Sequence, residues 1–246
     1  MRNEWKTRED DPPPLEPEEF TTAQFERVRS ALNPDDAQQW RAWVFVTLSG
    51  VHGQRARALR HLRWRDIDDE AGVITWPAKY QKNKKELKQP ILSESRVALA
   101  LAKAWRDKAS QYRLRAHHKT ATARPERLKD ADWVIFAERD TAKPVSYSSL
   151  HHHLLHAEAR AGVAHLPYRG FHGFRRMVVG EVGAQMKDPT ARLEYVGDRD
   201  PKMFKHYDRR RQERINRGSA AMESVREVSG HTNAAPDEGG EVKEGR

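Results

Sequence analysis

The chain has 246 residues, of which 37% are hydrophobic, and its 45 Lys and Arg exceed its 36 Asp and Glu to give a net charge of +9. The absence of cysteine excludes disulfides, thiolate zinc sites and a cysteine nucleophile, and no apolar run approaches the roughly 18 residues that a membrane-spanning helix needs. The positive charge favours a polyanionic partner, first of all nucleic acid, because Lys and Arg release counterions when they neutralise phosphates.

The N-terminal part of the chain is predicted to be a linker followed by two helices. Residues 1–19 are charged and proline-rich, which favours extended chain. Thr21 and Gln24 then provide a capping box ahead of apolar positions at helical spacing. A second helix is expected from Pro34, which suits a first turn, to Gly50, which we expect to end it. Its stripe of apolar residues predicts that this helix lies in the core.

The centre of the chain changes from helical to strand periodicity and back again. A short helix is predicted near Arg55, and the segments "GVITWPA" and "LKQPIL" predict two strands that the lysine-rich turn "KYQKNKKE" joins into a hairpin. The segment from Ser93 to Ala116 predicts a long helix with Val97 and Trp105 on its buried side. A brief apolar segment, "ADWVIFA", comes after a polar loop.

Capping signals predict further helices in the C-terminal part: around Leu150 to Ala161, from about Gly173, a short one ending at Gly197, and one opened by Asp200 and Pro201. Residues 218–246 are too polar and glycine-rich to bury much surface, which predicts a disordered tail. The fold class is therefore mainly α with a small antiparallel β-sheet (α+β), formed by one domain over residues 20–217. We expect a cytoplasmic protein that does not associate with membranes.

Five polar side chains stand out, although each has an ordinary explanation when taken alone. Arg55 follows a glycine-containing turn at the head of a helix, and Lys82 lies in the hairpin turn, where a solvated charge is common. His172 and Arg175 are three residues apart and share a helix face. Tyr207 could pack beside its apolar neighbours as a core aromatic residue.

In this order along the chain, the five residues resemble the catalytic signature of the tyrosine recombinases, the phage-integrase type of site-specific recombinase. The matching segments are "GQRARALRHLRWRDID", "YQKNKKELKQPIL", "FHGFRRM" and "EYVGDRDPKMFKHY". The third resembles the family's His-x-x-Arg motif, and the fourth has the family's spacing between a glycine and the nucleophilic tyrosine. The resemblance covers roughly Phe20 to Arg217. It implies the catalytic-domain fold of that family.

The chemistry of phosphodiester cleavage explains why such a set belongs together. The two guanidinium groups of Arg55 and Arg175 suit the non-bridging oxygens, since each offers parallel donors and stays protonated. A phenol with an ordinary pKa near ~10 needs a base or a cationic site to act as nucleophile, which His172 assists at Tyr207. The departing 5′ oxygen must gain a proton, and Lys82 on its turn is the candidate general acid.

The resemblance implies a transesterification that needs neither ATP nor a metal, so no cofactor is expected. Tyr207 would form a 3′-phosphotyrosyl bond and release a 5′ hydroxyl, which then attacks a partner duplex. The implied partners are double-stranded DNA and further copies of the chain, in a homotetramer on two duplexes. The implied location is the prokaryotic cytoplasm, on the nucleoid when DNA is bound. The residues expected to contact DNA directly are Arg176, Lys84, Lys85 and Arg199.

The chain departs from the family pattern at three points. Asp198 occupies the position after the glycine where the family usually has histidine or tryptophan, and Ala58 stands three residues after Arg55 where glutamate is common. An ionised Asp198 would repel phosphate, so three explanations are open: it orients Arg175 or another cation, its pKa is raised, or cleavage is slow. The linker before Phe20 is also too short to be the N-terminal domain with which family members clamp DNA.

Two other functional classes are open, the first because of these departures and the second because it shares the nucleophile chemistry. One is a DNA-binding relic or regulator that keeps the fold and charge without cleaving, and the other is a type IB topoisomerase-like DNA relaxer. The presence of all five catalytic residue types favours the recombinase. A metal site at His152 and His156, four residues apart, is not expected, because neither cysteine nor a convincing carboxylate partner is near them in the sequence.

Overall fold

The computed structural model describes residues 19–117, 132–137, 140–167 and 169–197. The predicted linker, the predicted tail and the helix expected at Asp200 lie outside the described residues, apart from the last residue of the linker. The elements within these ranges are α1 (Thr22–Ser30), α2 (Trp40–His52), α3 (Ala56–Arg60), β1 (Ile67–Asp68), β2 (Val73–Trp76), β3 (Leu87–Pro90), α4 (Ser93–His117), α5 (Tyr147–Arg160), α6 (Gly170–Gln185) and α7 (Pro189–Val196).

The predicted fold class is confirmed, since helices surround one small antiparallel sheet. The strands lie in the order β1-β2-β3. In the β2–β3 hairpin, Ile74 pairs with Gln89 and Trp76 with Leu87. The sequence did not reveal β1, which is only two residues long and pairs Ile67 with Ile74. No helix in the described ranges is both long and apolar enough to cross a membrane.

Helix α2 is the centre of the core, as its apolar sequence predicted. It packs against α1, α3, α4, α5 and α6. Ten of its thirteen residues are buried, because apolar side chains cover its whole circumference and not one stripe alone. Elements that are far apart in the chain are therefore held together through α2.

The predicted end of α2 at Gly50 is wrong, and the helix runs on to His52. Gly53 ends it, with a left-handed backbone at φ 61°. Gly50 serves close packing instead, because a Cβ atom there would lie 2.2 Å from the Phe25 ring of α1. The helix also begins at Trp40 and not at Pro34.

The other helices follow their capping signals more closely. The predicted capping box of Thr21 and Gln24 opens α1, with both reciprocal hydrogen bonds present. Helix α6 begins at Gly170, three residues before the predicted start, and Gly197 ends α7 as predicted, with φ 64°. The expectation that Val97 faces the core is wrong, because this side chain is 59% exposed.

The segment "ADWVIFA" is part of the core without being a strand of the sheet. Val134, Ile135 and Phe136 are buried. The segment makes two isolated antiparallel bridges, Arg63 with Trp133 and Phe136 with Pro144. Arg63 also forms an ion pair of 2.9 Å with Asp132. These contacts fix the chain between α3 and α5.

Candidate active site

Arg55 lies directly after the turn that ends α2. It is the N-cap residue of α3, with an extended backbone, and its side chain is partly buried. Gly53 in this turn packs closely on α6, since a Cβ atom there would lie 2.9 Å from the Val178 side chain. Ala58, at the position where the family often has glutamate, is fully buried in the core. The turn thus brings Arg55 to α6.

Arg175 of α6 is the buried cation of this region, with only 4% of its surface exposed. Its Nη1 atom donates to the Gly53 carbonyl oxygen at 2.6 Å, and its Nη2 atom donates to the Val196 carbonyl oxygen at 3.1 Å. Bonds from a charged donor are stronger than neutral ones, and these two fix the plane of the guanidinium. Arg175 therefore joins the end of α2 to the end of α7.

His172 lies one helical turn before Arg175 and keeps a partly exposed ring. Its pKa is lowered, chiefly by burial and further by the positive charges of Arg176, Arg175 and Arg55. The imidazole is therefore neutral at neutral pH and able to accept a proton. Because the charges that the described residues exert on His172 are positive, the described part of this site is a cationic cluster suited to an anion.

The hairpin turn between β2 and β3 carries three predicted lysines, Lys82, Lys84 and Lys85, all exposed. Lys84 adopts a left-handed backbone with φ 53°. The turn is attached to α7, because the Asn83 Nδ2 atom donates to the Gly197 carbonyl oxygen at 3.2 Å. Lys82 is thus the neighbour of a residue that binds the end of α7.

The last three carbonyl groups of the α7 segment, residues 195–197, each accept a hydrogen bond from a different element. Gln89 of β3 binds the first at 2.7 Å, Arg175 the second at 3.1 Å, and Asn83 the third at 3.2 Å. Helix C-termini leave carbonyl groups without helical partners, and side-chain donors satisfy them here. The end of α7 is therefore held in place by three side chains from other elements.

The described residues bring together four of the residues predicted from the sequence: Arg55, His172, Arg175 and Arg176. Asp198, Arg199 and Tyr207 lie outside the described residues. Asn83 and Gln89 were not predicted. In "LKQPIL", however, Gln89 alternates with Leu87 and Ile91 on one face of the strand, and a glutamine at such a position was a usable signal.

The histidines of α5 stand apart from this cluster. The rings of His152 and His156 are 4.4 Å apart between centroids. In the part of the chain that is described, no three His, Cys, Asp or Glu side chains converge as metal ligands would.

The sequence profile of the phage integrase family matches residues 18–214. The chain belongs to the phage integrase family. The resemblance to tyrosine recombinases that the motifs indicated is thereby confirmed for most of its length. A search of curated proteins found no match to this family member.

Solved structures show the same fold as this integrase-family chain. A lambda integrase dimer bound to a COC′ core site matches with a TM-score of 0.57 and 16% identity, covering 82% of this chain and 50% of that one. XerA recombinase matches with a TM-score of 0.54 and 17% identity, over 78% and 60% of the two chains. XerH bound to palindromic difH in a post-cleavage complex matches with a TM-score of 0.57 and 13% identity, covering 84% of this chain and 54% of that one. The chain thus spans between a half and two thirds of the length of these three recombinase chains.

Proposed function

We propose that this protein is a site-specific DNA recombinase that cleaves and rejoins strands through a 3′-phosphotyrosyl intermediate, without ATP or a metal. The observation that carries the proposal is the cluster of Arg55, Arg175 and a neutral His172, whose pKa is lowered by burial and by the positive charges of Arg176, Arg175 and Arg55. Membership of the phage integrase family supports the same reaction. DNA binding is further supported by the solved lambda integrase, which was seen on its core site.

The two arginines bind the non-bridging oxygens of the scissile phosphate. Arg175 is oriented before DNA arrives, because two backbone carbonyl groups already hold it. Donors that are fixed in place stabilise the charge that develops at phosphorus without reorganising during the reaction. Arg55 reaches the same phosphate from the head of α3.

Proton transfer is divided between two residues. The Tyr207 oxygen attacks phosphorus as its proton passes to neutral His172, and the bond from phosphorus to the 5′ oxygen breaks. Lys82 donates a proton to that oxygen and leaves a free 5′ hydroxyl. Rejoining runs in reverse, since a 5′ hydroxyl attacks the phosphotyrosine and releases Tyr207. Asp198 orients a neighbouring cation.

Residues 20–217 form the catalytic domain in this proposal, with residues 1–19 as a linker and 218–246 as a tail. Four further cations hold the DNA backbone in this proposal: the exposed Lys84 and Lys85, the half-buried Arg176, and Arg199. Recombination needs two duplexes, so the working assembly is a homotetramer. A lambda integrase tetramer bound to a Holliday junction is among the structural matches, with a TM-score of 0.56 and 15% identity.

A nicked suicide duplex tests the proposal, since loss of a short 5′ fragment traps the covalent intermediate on a denaturing gel. The wild type is expected to form an adduct, and Tyr207→Phe is expected to bind the duplex equally well without forming one. An adduct in the Phe variant would exclude Tyr207 as the nucleophile. Binding without an adduct in the wild type would instead indicate a non-cleaving binder, and relaxation without joining a topoisomerase.

A further inference from the structure

Three buried glutamines form a continuous chain of hydrogen bonds beneath the candidate active site. Gln54, Gln81 and Gln89 are 2%, 5% and 2% exposed. The Gln81 Nε2 atom donates to Gln54 Oε1 at 3.1 Å, and the Gln54 Nε2 atom donates to Gln89 Oε1 at 3.1 Å. Gln89 Nε2 then donates to the carbonyl oxygens of Tyr195 at 2.7 Å and His52 at 3.4 Å.

The direction of this chain is fixed by groups that have a single hydrogen-bonding role. The Trp76 indole can only donate, and its Nε1 atom lies 2.7 Å from Gln89, so the atom facing it must be Oε1. The backbone carbonyl of Tyr195 can only accept, so it faces Gln89 Nε2. Gln54 must therefore present its nitrogen to Gln89 and its oxygen to Gln81. The chain has one self-consistent arrangement.

Each glutamine is adjacent to a different part of the proposed machinery. Gln54 directly precedes Arg55, and Gln81 directly precedes Lys82. Gln89 holds the carbonyl group of Tyr195, three residues before Asp198. The hydrogen bonds connect segments that are 27, 35 and 106 residues apart in the sequence. One chain of amides thus connects the loop after α2, the hairpin and the end of α7.

The backbone of Lys82 is held in place by its two neighbours in the sequence, although its own side chain is exposed. Gln81 on one side is bound to Gln54, and Asn83 on the other is bound to the Gly197 carbonyl group. A Cβ atom on Gly197 would also lie 2.8 Å from Leu87, so α7 and the hairpin are in close contact. The backbone of Lys82 cannot shift without breaking one of these contacts.

Stability alone does not explain why three buried glutamine side chains are hydrogen-bonded to one another. Burying an amide is costly unless it is fully hydrogen-bonded, and a well-packed apolar group of the same shape is often as stable. A connected network of side-chain hydrogen bonds does something that apolar packing does not: it selects one relative position of its members. The buried Gln81 Oε1 atom is the one amide oxygen of the three glutamines that has no hydrogen-bond partner among the described residues. The position selected here is that of the three segments that carry the proposed catalytic groups.

We propose that Gln54, Gln81 and Gln89 are positioning residues, which set Arg55, Lys82 and the end of α7 in one arrangement around the scissile phosphate. This proposal rests on the proposed strand cleavage, because it concerns the alignment of groups in that reaction. The three glutamines touch one another and the backbone, and they act through their neighbours.

A change of leaving group separates the role of Gln81 from that of Gln54. In a duplex with sulfur in place of the scissile 5′ oxygen, the leaving thiol has a pKa near ~8.5 and needs no proton from Lys82. Gln81→Met is expected to form adduct about 10- to 100-fold more slowly on the ordinary duplex, and within about threefold of the wild type on the sulfur duplex. Gln54→Met is expected to stay slow on both, because Arg55 acts on the non-bridging oxygens. Equal losses for Gln81→Met on both duplexes would overturn its link to Lys82.

The nearly isosteric variant Gln89→Glu provides a pH readout that a purely structural role would not give. An ionised Glu cannot donate to the Tyr195 carbonyl oxygen, whereas the protonated acid can, and burial raises the pKa of a carboxyl group. The adduct rate of Gln89→Glu relative to the wild type is therefore expected to recover as the pH falls. For Gln89→Met the same ratio is expected to stay low at every pH. A flat ratio for Gln89→Glu would contradict the proposal.

Thr47→Val is the matched control, because it also removes the hydrogen bond of a buried side chain, from Thr47 Oγ1 to the Trp43 carbonyl oxygen within α2. Its adduct rate is expected to stay within about twofold of the wild type on both duplexes. If a methionine variant does not fold by circular dichroism, Gln89→Glu still tests the proposal. A wild type without adduct would overturn the proposed function and this inference together. A normal adduct in the wild type and in all glutamine variants would overturn only the inference.

Discussion

Arg175 donates a 2.6 Å hydrogen bond to the carbonyl oxygen of Gly53, a residue 122 positions earlier in the chain. Gly53 is two residues before Arg55, so this bond sets the distance between the two arginines proposed to bind one phosphate. The bond also satisfies a guanidinium that is almost fully buried. The same contact therefore stabilises the packing of α6 on α2 and aligns the proposed site.

Arg175→Lys is expected to keep the charge but lose at least one of the two carbonyl contacts, since an ammonium cannot reproduce the planar fork. We expect the adduct rate to fall about 100-fold and the free energy of unfolding to fall by about 1–3 kcal/mol. Suicide-duplex kinetics and urea denaturation measure the two effects. Arg176→Lys, at the half-buried neighbour, is the control and should change the rate by less than about fivefold. Equal effects of the two variants would argue against a special role for Arg175.

Removing the charge of Arg176 should change the titration of His172. This arginine is the strongest of the three positive charges that lower the pKa of His172, although burial lowers it more. Arg176→Gln is therefore expected to raise that pKa towards the ordinary value of 6.5. The change is measured by NMR titration of the imidazole in the DNA-free protein. The acid limb of kcat/KM should move to higher pH in the same variant.

Arg65→Gln is the control for this titration, because Arg65 is exposed and is not among the charges that act on His172. An unchanged His172 pKa in Arg176→Gln, or an equal shift in Arg65→Gln, would show that the cationic cluster is not arranged as described.

The sequence predicted those parts of the molecule that depend on local signals. The capping box at Thr21 and the glycine that ends α7 need only neighbouring residues, and both were predicted correctly. Gly50 was misread because its role is set by the Phe25 ring of another helix, which no local pattern reveals. Val97 was misread because an apolar residue at the edge of a helical stripe is placed by its tertiary neighbours.

The same distinction holds for the candidate site. Arg55, His172 and Arg175 were recognised because they lie in short motifs, and the structure brings them together. Gln54 and Gln81 carry no motif, and their hydrogen bonds join segments that only the folded chain brings into contact. Asn83 likewise has meaning only through the Gly197 carbonyl group.

The buried imidazole of His52 should make the protein less stable in mild acid. Its Nε2 atom lies 2.7 Å from Ser95 Oγ, and burial lowers its pKa from 6.5 to about 4. The unfolded chain therefore binds a proton between these pH values that the folded protein does not. Stability is fully present above pH 6.5 and falls as the pH decreases towards about 4, by on the order of 3 kcal/mol for this group.

Urea denaturation between pH 7.5 and about 4 measures this loss, with His52→Gln as the reference because glutamine does not titrate. Other histidines titrate in the same range, so the difference between the two proteins is the readout. The free energy of unfolding of the wild type, relative to that of His52→Gln, should fall by about 3 kcal/mol as the pH falls. Parallel pH dependence in the two proteins would mean that His52 titrates as an exposed residue does.

Gly50→Ala should destabilise the protein even though alanine is the better helix former. Alanine is favoured over glycine by about 1 kcal/mol in a helix interior, but the added Cβ atom would lie 2.2 Å from the buried Phe25 ring. Overpacking of this kind costs about 1–3 kcal/mol, so we expect a net loss of up to about 2 kcal/mol. Gly180→Ala in α6 is the matched control, since among the described residues its Cβ atom would meet only a Glu19 oxygen at 3.8 Å. The free energy of unfolding of Gly180→Ala, measured by thermal or urea unfolding, should rise by about 0.5–1 kcal/mol.

The double variant Gly50→Ala with Phe25→Leu should recover part of the stability that Gly50→Ala loses, because the smaller side chain relieves the contact. A gain in stability from Gly50→Ala alone would contradict the close packing of α1 on α2.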